Sequence, residues 1–262
     1  MVQVFGSLKG RTALVTGSRR GIGKAIALSF AGAGANVVVT DIVTEDGLLD
    51  STAKQINKIG QHALSVKADV TQKADVDNLV RLALSEFGKI DILVNCAGKW
   101  IPGESLLDYP ETKWEDVLTT NLKSTFLCCQ AVAKTMVEKK GGNIINLASD
   151  LGITPVKGIG SYGVAKAAII LLTKQLSLEL SEYHIRVNAI APGMVKTDMN
   201  IALRTSPEVE RKIAAKMVIG RLAEPADISD AALFLASNKS DYINGQVIVV
   251  NGGGTVVPPL VE

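Results

Sequence analysis

The stretch Thr16-Gly-Ser-Arg-Arg-Gly-Ile-Gly23 follows a short β-forming run at 12–16 and opens a helical pattern that extends to about residue 32. Gly17 permits a tight turn, Gly21 lets the backbone approach a pyrophosphate, and Gly23 allows the helix to pack closely on the strand. The amino end of that helix would present N–H groups and a partial positive charge to phosphates. Asp41 closes the next β-forming run, 18 residues after Gly23, where a carboxylate can bind ribose hydroxyls. The loop therefore predicts a nucleotide-binding unit, with a purely structural turn as the alternative.

β-forming runs alternate with helical patterns along the whole chain. The runs lie at 12–16, 36–40, 62–67, 91–95, 143–148, 186–190 and 246–250, and the helical patterns at 21–32, 45–58, 72–86, 112–138, 160–181 and 225–236. This alternation predicts an α/β fold, a single-domain Rossmann fold over residues 1–262 with a doubly wound seven-stranded parallel sheet and helices on both faces. The segment 197–219 interrupts the alternation without a strand. We therefore expect a substrate lid around 194–219, above the carboxyl ends of the strands.

Composition argues against several classes of function. The 262 residues are 47% hydrophobic and 21% charged, with a net charge of +2 and no long basic cluster, so nucleic acid is not an expected partner. No apolar stretch has the length of a signal peptide or a membrane span, which predicts a cytoplasmic protein without membrane contacts. The three cysteines are expected to be reduced core residues. The two histidines lack metal-ligand spacing, so no metal site is expected.

A series of short polar motifs follows the ends of the later β-forming runs. Asp69-Val70 follows the third β-forming run, Asn95-Cys-Ala-Gly98 ends the fourth run, and Asn121 lies in the helical pattern after it. Ser149 ends the fifth β-forming run, and Tyr162-Gly-Val-Ala-Lys166 comes 13 residues later. Pro192-Gly193, with Val195 and Thr197, follows the sixth run. In this order and at these spacings, the motifs resemble those of the short-chain dehydrogenase/reductase family over about residues 8–253. One departure is Cys96, where the family motif has a second asparagine.

The resemblance implies a site for a nicotinamide cofactor and a small secondary alcohol or ketone. The implied cofactor-binding residues are Gly17, Ser18, Arg20, Gly21, Ile22, Gly23, Asp41, Asp69, Val70, Asn95, Ala97, Gly98, Tyr162, Lys166, Pro192, Gly193, Val195 and Thr197. The implied catalytic residues are Ser149, Tyr162, Lys166 and Asn121. By likeness to the family, Asp69 would face the adenine ring, Asn121 would anchor a water molecule in a proton relay, and Thr197 would hold the nicotinamide carboxamide.

Tyr162 and Lys166 suit this chemistry because they are four residues apart in a helical pattern and so share one face of the helix. Taking the hydroxyl proton requires a base, and tyrosine is ordinarily a poor base at neutral pH. We expect the Lys166 ammonium and the positive nicotinamide ring to lower the pKa of Tyr162, while Ser149 holds the substrate oxygen. Asp150 is either a cap or a substrate contact, and Trp100 either lines the pocket or packs in the core.

Two features bear on the choice of cofactor. Asp41 would accept hydrogen bonds from both adenosine ribose hydroxyls and repel a 2′-phosphate. Arg19 and Arg20 resemble the basic residues that hold this phosphate in NADP-dependent relatives. Because the carboxylate is nearer to the position of the phosphate, we expect NAD to be preferred over NADP, and alcohol oxidation to be the working direction.

Sequence leaves the substrate open between sugars, polyols, cyclic alcohols, steroids and acyl thioesters. The stretch 191–199 resembles that of 3-oxoacyl-(acyl-carrier-protein) reductases, so a 3-oxoacyl-carrier or CoA reductase is one alternative. Lys140 and Tyr183, however, stand where those reductases carry two arginines that dock the carrier. A non-catalytic nucleotide sensor or a methyltransferase would be an alternative of another class, and the complete set of catalytic candidates disfavours both.

The resemblance also implies a symmetric assembly. Members of the family are usually tetramers or dimers, joined through the helices that correspond to 112–138 and 160–181 and through the last strand. The segment 252–261 is apolar and glycine-rich, which is unusual for a solvated terminus. We therefore expect a homotetramer with this tail at a subunit interface.

Overall fold

A parallel sheet is the centre of the fold. The structure, a computed structural model, describes residues 6–101 and 105–255. Within them the strands are β1 (Thr12–Thr16), β2 (Asn36–Asp41), β3 (Ala63–Lys67), β4 (Ile92–Asn95), β5 (Gly142–Leu147), β6 (Ile185–Pro192) and β7 (Val247–Val250). Most are rich in Val, Ile and Leu, as is typical of strands buried on both faces. The predicted seven-stranded sheet is confirmed, and the strand ends lie within two residues of their expected positions.

The strand order implies a ligand crevice at the carboxyl ends of the central strands. The order is β3-β2-β1-β4-β5-β6-β7, and all neighbouring strands are parallel. The direction of winding therefore reverses between β1 and β4, and ligands of open α/β sheets bind outside the carboxyl ends of the strands at such a reversal. The Thr16 hydroxyl joins the two loops there, because it accepts hydrogen bonds from the N–H groups of Cys96 at 3.0 Å and Ala97 at 3.1 Å.

Helices cover both faces of the sheet. In the described part of the chain they are α1 (Gly21–Gly32), α2 (Leu48–Lys58), α3 (Lys73–Phe87), α4 (Glu111–Leu118), α5 (Ser124–Lys139), α6 (Ser161–Leu180), α7 (Pro207–Ala214) and α8 (Pro225–Ala236). The helical segment predicted over 112–138 is confirmed, and within it a π-helical turn, Thr119–Lys123, joins α4 to α5. The helix predicted at 45–58 begins later, at Leu48, because Gly47 before it has a φ of 70°.

Apolar side chains pack in separate cores on the two faces. Along β1, Ala13 and Val15 belong to one core with α1 and α8, whereas Leu14 belongs to another with α3 and α5. Aliphatic side chains dominate both, in keeping with an aromatic content of 4%. Cys128 and Cys129 are buried in the second core as free thiols, as predicted.

The segment between β6 and α8 is built from short helices. A 3₁₀ helix, Asp198–Leu203, precedes α7, and Val195 forms an isolated parallel bridge with Ala223 where the segment joins the sheet. Across residues 6–101 and 105–255, the helices are too short or too polar to cross a membrane. Over the same residues, His, Cys, Asp and Glu side chains form no group of three that could hold a metal ion.

Candidate active site

Three glycines shape the loop between β1 and α1. Gly17 and Gly21 have φ angles of 64° and 58°, in the left-handed region that favours glycine. A Cβ atom on Gly17 would lie 2.8 Å from the Cα of Ala97, and one on Gly23 would lie 2.2 Å from the carbonyl oxygen of Gly17. Larger residues therefore cannot occupy these two positions without displacing the loop.

The first turn of α1 has no side-chain cap. Arg20 occupies the N-cap position in an extended conformation, and its side chain makes no capping hydrogen bond. Ser18 is fully buried, and its hydroxyl accepts a hydrogen bond from the Thr40 N–H at 2.9 Å, which ties the loop to β2. Thr197 lies over the same turn, since a Cβ on Gly21 would be 3.4 Å from its Cγ2. This arrangement leaves the helix N–H groups available to phosphates.

The end of β2 carries a cluster of charges. Asp41 and Arg19 form an ion pair with 3.7 Å between Oδ1 and Nε, and their side chains are only 15% and 11% exposed. Arg19 also pairs with Asp46 through Nη1. Arg20 instead reaches Asp198, with 2.9 Å between Nη1 and Oδ2, at the start of the 3₁₀ helix after β6. The cluster around Arg19 therefore contains two carboxylates and one guanidinium, which leaves one negative charge in excess.

Local hydrogen bonds hold the residues that follow β3 and β4. Asp69 accepts hydrogen bonds from the N–H of Thr71 at 2.9 Å and from its hydroxyl at 2.7 Å, and Val70 is buried. The Asn95 amide donates to Oδ1 of Asn146 at 2.8 Å. The Asn95 side chain is therefore buried between β4 and β5, where it orders the ends of the two strands.

The π-helical turn positions Asn121. Its Nδ2 donates to the carbonyl oxygens of Lys99 at 2.8 Å and Val117 at 2.9 Å, whereas Oδ1 is buried and has no partner among the described residues. A Cβ on Gly98 would lie 2.6 Å from this oxygen and 3.6 Å from Nζ of Lys166. Glycine at position 98 thus lets a buried acceptor and the lysine amino group face one small space.

Ser149, Tyr162 and Lys166 come together beyond the carboxyl end of β5. Ser149 is buried, and its hydroxyl accepts a hydrogen bond from the Leu151 N–H at 3.2 Å. On α6, Nζ of Lys166 lies 5.5 Å from the centre of the Tyr162 ring and donates to the carbonyl oxygen of Leu147 at 2.7 Å. The Ser149 hydroxyl also acts on the Tyr162 phenol, whose pKa it lowers. The structure therefore brings the three predicted residues together, with Ser149 and Lys166 buried and Tyr162 half-buried.

Burial controls the protonation of this group. Removal from water raises the pKa of Tyr162 to about 12, although its hydrogen bond to Ser149 lowers it, and the nearby Asp150 carboxylate raises it further. Burial also lowers the pKa of Lys166 to about 8. Within the protein alone, the pKa of Tyr162 is thus raised, not lowered as we expected from Lys166, because the charged form of a group withdrawn from water is poorly solvated.

Arg204 is a residue that the sequence did not single out. Thr197 caps the 3₁₀ helix in a reciprocal arrangement with Asn200. Arg204 donates to the Thr197 carbonyl oxygen at 2.9 Å and to Oδ1 of Asn200 at 3.1 Å. It therefore holds Thr197 above the glycine loop. An arginine seven residues beyond a threonine carries no local pattern that would have revealed this contact.

Two residues that the sequence left undecided lie close to the motifs. Oδ1 of Asp150 is 3.4 Å from the Ser149 hydroxyl, so this residue contacts Ser149 directly. Trp100 follows the β4 motif, and its buried indole N–H has no hydrogen-bond partner within the described parts of the chain. Both residues offer polar atoms beside the crevice.

Comparison with known proteins agrees with this arrangement. The family model described as enoyl-(acyl carrier protein) reductase matches residues 17–255, which include the glycine loop and all four catalytic candidates. The chain belongs to the short-chain dehydrogenase/reductase family. It is therefore an oxidoreductase of the class that uses nicotinamide cofactors on alcohols and ketones.

Relatives within the short-chain dehydrogenase/reductase family differ in substrate. The 2-dehydro-3-deoxy-D-gluconate 5-dehydrogenase of Dickeya dadantii is 38% identical over 248 residues, 94% of this chain and 96% of the relative. A 3-oxoacyl-(acyl-carrier-protein) reductase of Staphylococcus epidermidis is 39% identical over 244 residues, 93% and 98% of the two chains. The crystal structure of a gluconate 5-dehydrogenase from Burkholderia cenocepacia J2315 in complex with NADP and tartrate has a TM-score of 0.90 and 33% identity, over 96% of this chain and 98% of that one.

Proposed function

We propose that this chain transfers a hydride between NAD and a small secondary alcohol or ketone, with Tyr162 as the acid–base residue. The observation that carries the proposal is the group of Ser149, Tyr162 and Lys166 beyond β5. Family membership supplies the class of oxidoreductase, and this group supplies the proton transfer that accompanies hydride transfer at an oxygen-bearing carbon. A non-catalytic nucleotide sensor would have no need of all three side chains.

The loops after β1, β2, β4 and β6 fit a dinucleotide. The nicotinamide supplies the hydride chemistry when it is bound. Glycine at positions 17 and 23 leaves a cradle that a Cβ would fill, and the uncapped first turn of α1 would bind the pyrophosphate. The remaining proposed contacts come from Ser18, Arg20, Gly21, Ile22, Asp41, Asp69, Val70, Asn95, Ala97, Gly98, Tyr162, Lys166, Pro192, Gly193, Val195 and Thr197.

Protons would move through the hydroxyl of Tyr162. In ketone reduction the phenol donates its proton to the forming alkoxide, and with a pKa raised to about 12 it is fully protonated at neutral pH. In alcohol oxidation it must first lose that proton, which a positive charge close to the phenol favours. Nζ of Lys166 and Oδ1 of Asn121 face the same space beside Gly98, where a water molecule would pass the proton on.

Charge at the end of β2 supports the preference for NAD. Asp41 and Asp46 both engage Arg19, so this guanidinium is already compensated and one negative charge remains. Arg20 is paired with Asp198. A 2′-phosphate would therefore meet net negative charge, whereas the ribose hydroxyls of NAD would find an acceptor. Because cells keep NAD mostly oxidised, this preference favours alcohol oxidation.

Segment 194–219 is our proposed substrate lid. Glu210 on α7 pairs with Lys196 at 2.8 Å and with Arg204 at 3.5 Å, and Lys196 also pairs with Glu224 at 3.1 Å. These contacts link α7 to the strand end that carries Thr197. Movement of the lid would therefore be coupled to the residue proposed to hold the nicotinamide carboxamide.

We propose a homotetramer built on α5, α6 and β7. Val164, Leu171 and Leu178 recur every seven residues on α6, and their exposed fractions are 44%, 67% and 74%. Phe126 on α5 and Val249 on the edge strand β7 are also exposed. Rows of exposed apolar side chains of this kind are typical of subunit interfaces, which are usually symmetric. Light scattering that gave the monomer mass of 27.6 kDa at micromolar concentration would contradict the assembly.

Two expectations from the sequence stay predictions. The tail 252–261 was expected at a subunit interface, but its residues 256–261 lie outside the described part of the chain. The cytoplasmic location is the second expectation that stays a prediction.

A 3-oxoacyl reductase is the second candidate function, favoured by the 39% identity to a relative of that name. Docking of an acidic carrier would call for cations at positions 140 and 183. Lys140 ends α5 in a left-handed conformation with a φ of 50°, whereas Tyr183 packs against the second core and offers no charge. Because a cation is missing at position 183, we rank reduction of a carrier-bound substrate below reaction with a small molecule.

The proposed function is tested by the absorbance of reduced nicotinamide during incubation with NAD or NADP and a panel of secondary alcohols and ketones. Tyr162→Phe should lower turnover by about 10²–10⁴-fold, because only the acid–base group is removed, while cofactor affinity stays close to that of the wild type. Tyr242→Phe, at a fully exposed tyrosine, is the matched control and should behave as wild type. If Tyr162→Phe kept more than about a tenth of wild-type turnover, Tyr162 would not be the acid–base residue.

A further inference from the structure

Asp150 is a charged residue beside the proposed catalytic group for which the reaction above has no role. The Ser149 hydroxyl donates to its Oδ1 at 3.4 Å, and Nδ2 of Asn251 donates to its Oδ2 at 3.4 Å. Both distances are at the long end for hydrogen bonds. The other groups that act on the carboxylate are the N–H of Leu151 and its own N–H, and none is a cation of the described chain. An ionised carboxylate has about four lone-pair sites, so Asp150 can accept further hydrogen bonds.

The carboxylate lies on the side of the crevice where the reaction would occur. Oδ2 is 3.1 Å from the position that a Cβ on Gly193 would take, directly after the carboxyl end of β6. The negative charge of Asp150 also acts on the Tyr162 phenol, whose pKa it raises. Ser149 and Gly193 thus lie beside Asp150, and the Tyr162 phenol is close enough for its pKa to respond to the charge of Asp150. Partial burial raises the pKa of Asp150 itself, as is expected for a carboxylate withdrawn from water without a cationic partner.

We propose that Asp150 is a specificity-determining residue that accepts a hydrogen bond from a second hydroxyl of the substrate, on the carbon next to the reacting carbon. The inference rests on the proposed function, in which Ser149 and Tyr162 hold the reacting oxygen. That oxygen would lie about 2.7–2.8 Å from the Ser149 hydroxyl oxygen, and Oδ1 of Asp150 is 3.4 Å from the same atom.

A vicinal diol matches this spacing. Its two oxygens are about as far apart as two hydrogen-bonded oxygens, roughly 2.7–3.0 Å when they are gauche. One oxygen can therefore bind Ser149 while the other donates to Asp150. The substrate class assigned to the site is a vicinal diol, and its oxidised form is the corresponding α-hydroxyketone.

The same carboxylate disfavours two other classes of substrate. A 3-oxoacyl thioester has no hydroxyl next to its reacting carbon, so Asp150 would lose solvation there without gaining a donor. A 2-oxo acid places a second carboxylate next to the reacting carbon, where the two negative charges repel each other. A polyol, or a sugar acid that reacts far from its carboxylate, supplies the hydroxyl and avoids this repulsion.

The test compares butane-2,3-diol with butan-2-ol, and cyclohexane-1,2-diol with cyclohexanol. For each pair, kcat/KM is measured on the wild type, Asp150→Ala, Asp150→Asn and Asp230→Ala, an exposed carboxylate on α8 that serves as control. The wild type should prefer the diol by about tenfold or more, because the site is built to bind its second hydroxyl. Asp150→Ala should lower the ratio of kcat/KM for the diol to kcat/KM for the alcohol until the two substrates are used about equally. Asp150→Asn, which keeps an acceptor oxygen, should lie between them, and Asp230→Ala should keep the wild-type ratio.

Three outcomes would overturn the inference. If Asp150 only clamps Asn251, its substitution lowers kcat/KM for diol and alcohol by the same factor and leaves the ratio unchanged. Equal use of both members of a pair by the wild type would overturn the inference and leave the proposed function intact. A wild type that turned over no alcohol, diol or ketone with either cofactor would overturn the proposed function and this inference with it. If Asp150→Ala does not fold, the ratio measured on Asp150→Asn decides.

Discussion

Substitution of Asp41 by alanine is expected to move the cofactor preference from NAD toward NADP. The Asp41 carboxylate lies at the end of β2, 3.7 Å from Nε of Arg19, and Asp46 engages Nη1 of the same arginine. The two carboxylates outnumber the guanidinium, so a 2′-phosphate placed here meets one uncompensated negative charge. Removal of Asp41 cancels that charge and frees one edge of Arg19 for the phosphate.

The size of the effect follows from Coulomb's law. A phosphate monoester carries about −1.5 to −2 charges near neutral pH, and two unit charges about 4 Å apart near a protein surface interact by about 4 kcal/mol. The Asp41 and Arg19 side chains are 15% and 11% exposed, so solvent and salt weaken the repulsion. A net effect of about 2–3 kcal/mol remains, which corresponds to roughly 30- to 150-fold in kcat/KM.

The assay measures kcat/KM for NAD and NADP with one saturating alcohol, at low and at high salt. The wild type should prefer NAD by about tenfold or more, and Asp41→Ala should shift the ratio toward NADP by roughly 30- to 150-fold. High salt should reduce the use of NADP by the variant, because it screens the attraction between Arg19 and the phosphate. Asp230→Ala is the matched control and should leave the ratio unchanged. Equal or better use of NADP by the wild type would refute this reasoning, as would an unchanged ratio in Asp41→Ala.

Two further predictions concern the buried lysine and the glycine loop. Lys166→Met should abolish turnover yet stabilise the folded protein by about 1–2 kcal/mol at neutral pH. The fall in the pKa of Lys166 from 10.5 to about 8 costs the wild type about 3 kcal/mol of folding free energy, and the substitution removes this cost. Loss of the hydrogen bond from Lys166 to the Leu147 carbonyl oxygen offsets part of the gain. The folded state releases the Lys166 proton at lower pH than the unfolded chain, so the cost is present below pH 8 and fades as pH rises toward 10.5. Urea unfolding should therefore show that the extra stability of Lys166→Met over the wild type shrinks across that range. A variant less stable than the wild type at neutral pH would contradict this prediction. Gly23→Ala should weaken NAD binding by about tenfold or more in calorimetry, because the new Cβ would lie 2.2 Å from a backbone oxygen. Gly32→Ala, on the same helix with open space around it, should bind NAD as wild type does, and an unaltered Kd for Gly23→Ala would sink the assignment.

Short-range sequence patterns were enough to predict most of the fold. The Val- and Ile-rich runs, the spacing of the glycines after β1 and the intervening helical patterns were enough to predict the parallel sheet, its seven strands and the crevice above their carboxyl ends. Each of these features depends on neighbours a few residues apart, so a linear sequence displays it. The π-helical turn at Asn121 escaped this reasoning, because one residue added to a helix disturbs the periodicity too little to be seen.

By itself, then, the sequence determined the α/β class, the family and the identity of the residues that meet in the crevice. Only the tertiary structure decided which partners those residues have and how their charges behave. Arg20 pairs with Asp198, 178 residues away in the chain, and Asp150 meets Asn251 across the site. The pKa of Tyr162 is raised rather than lowered because packing removes the phenol from water. Ion pairing and desolvation depend on distances between elements, and those distances exist only once the elements have packed together.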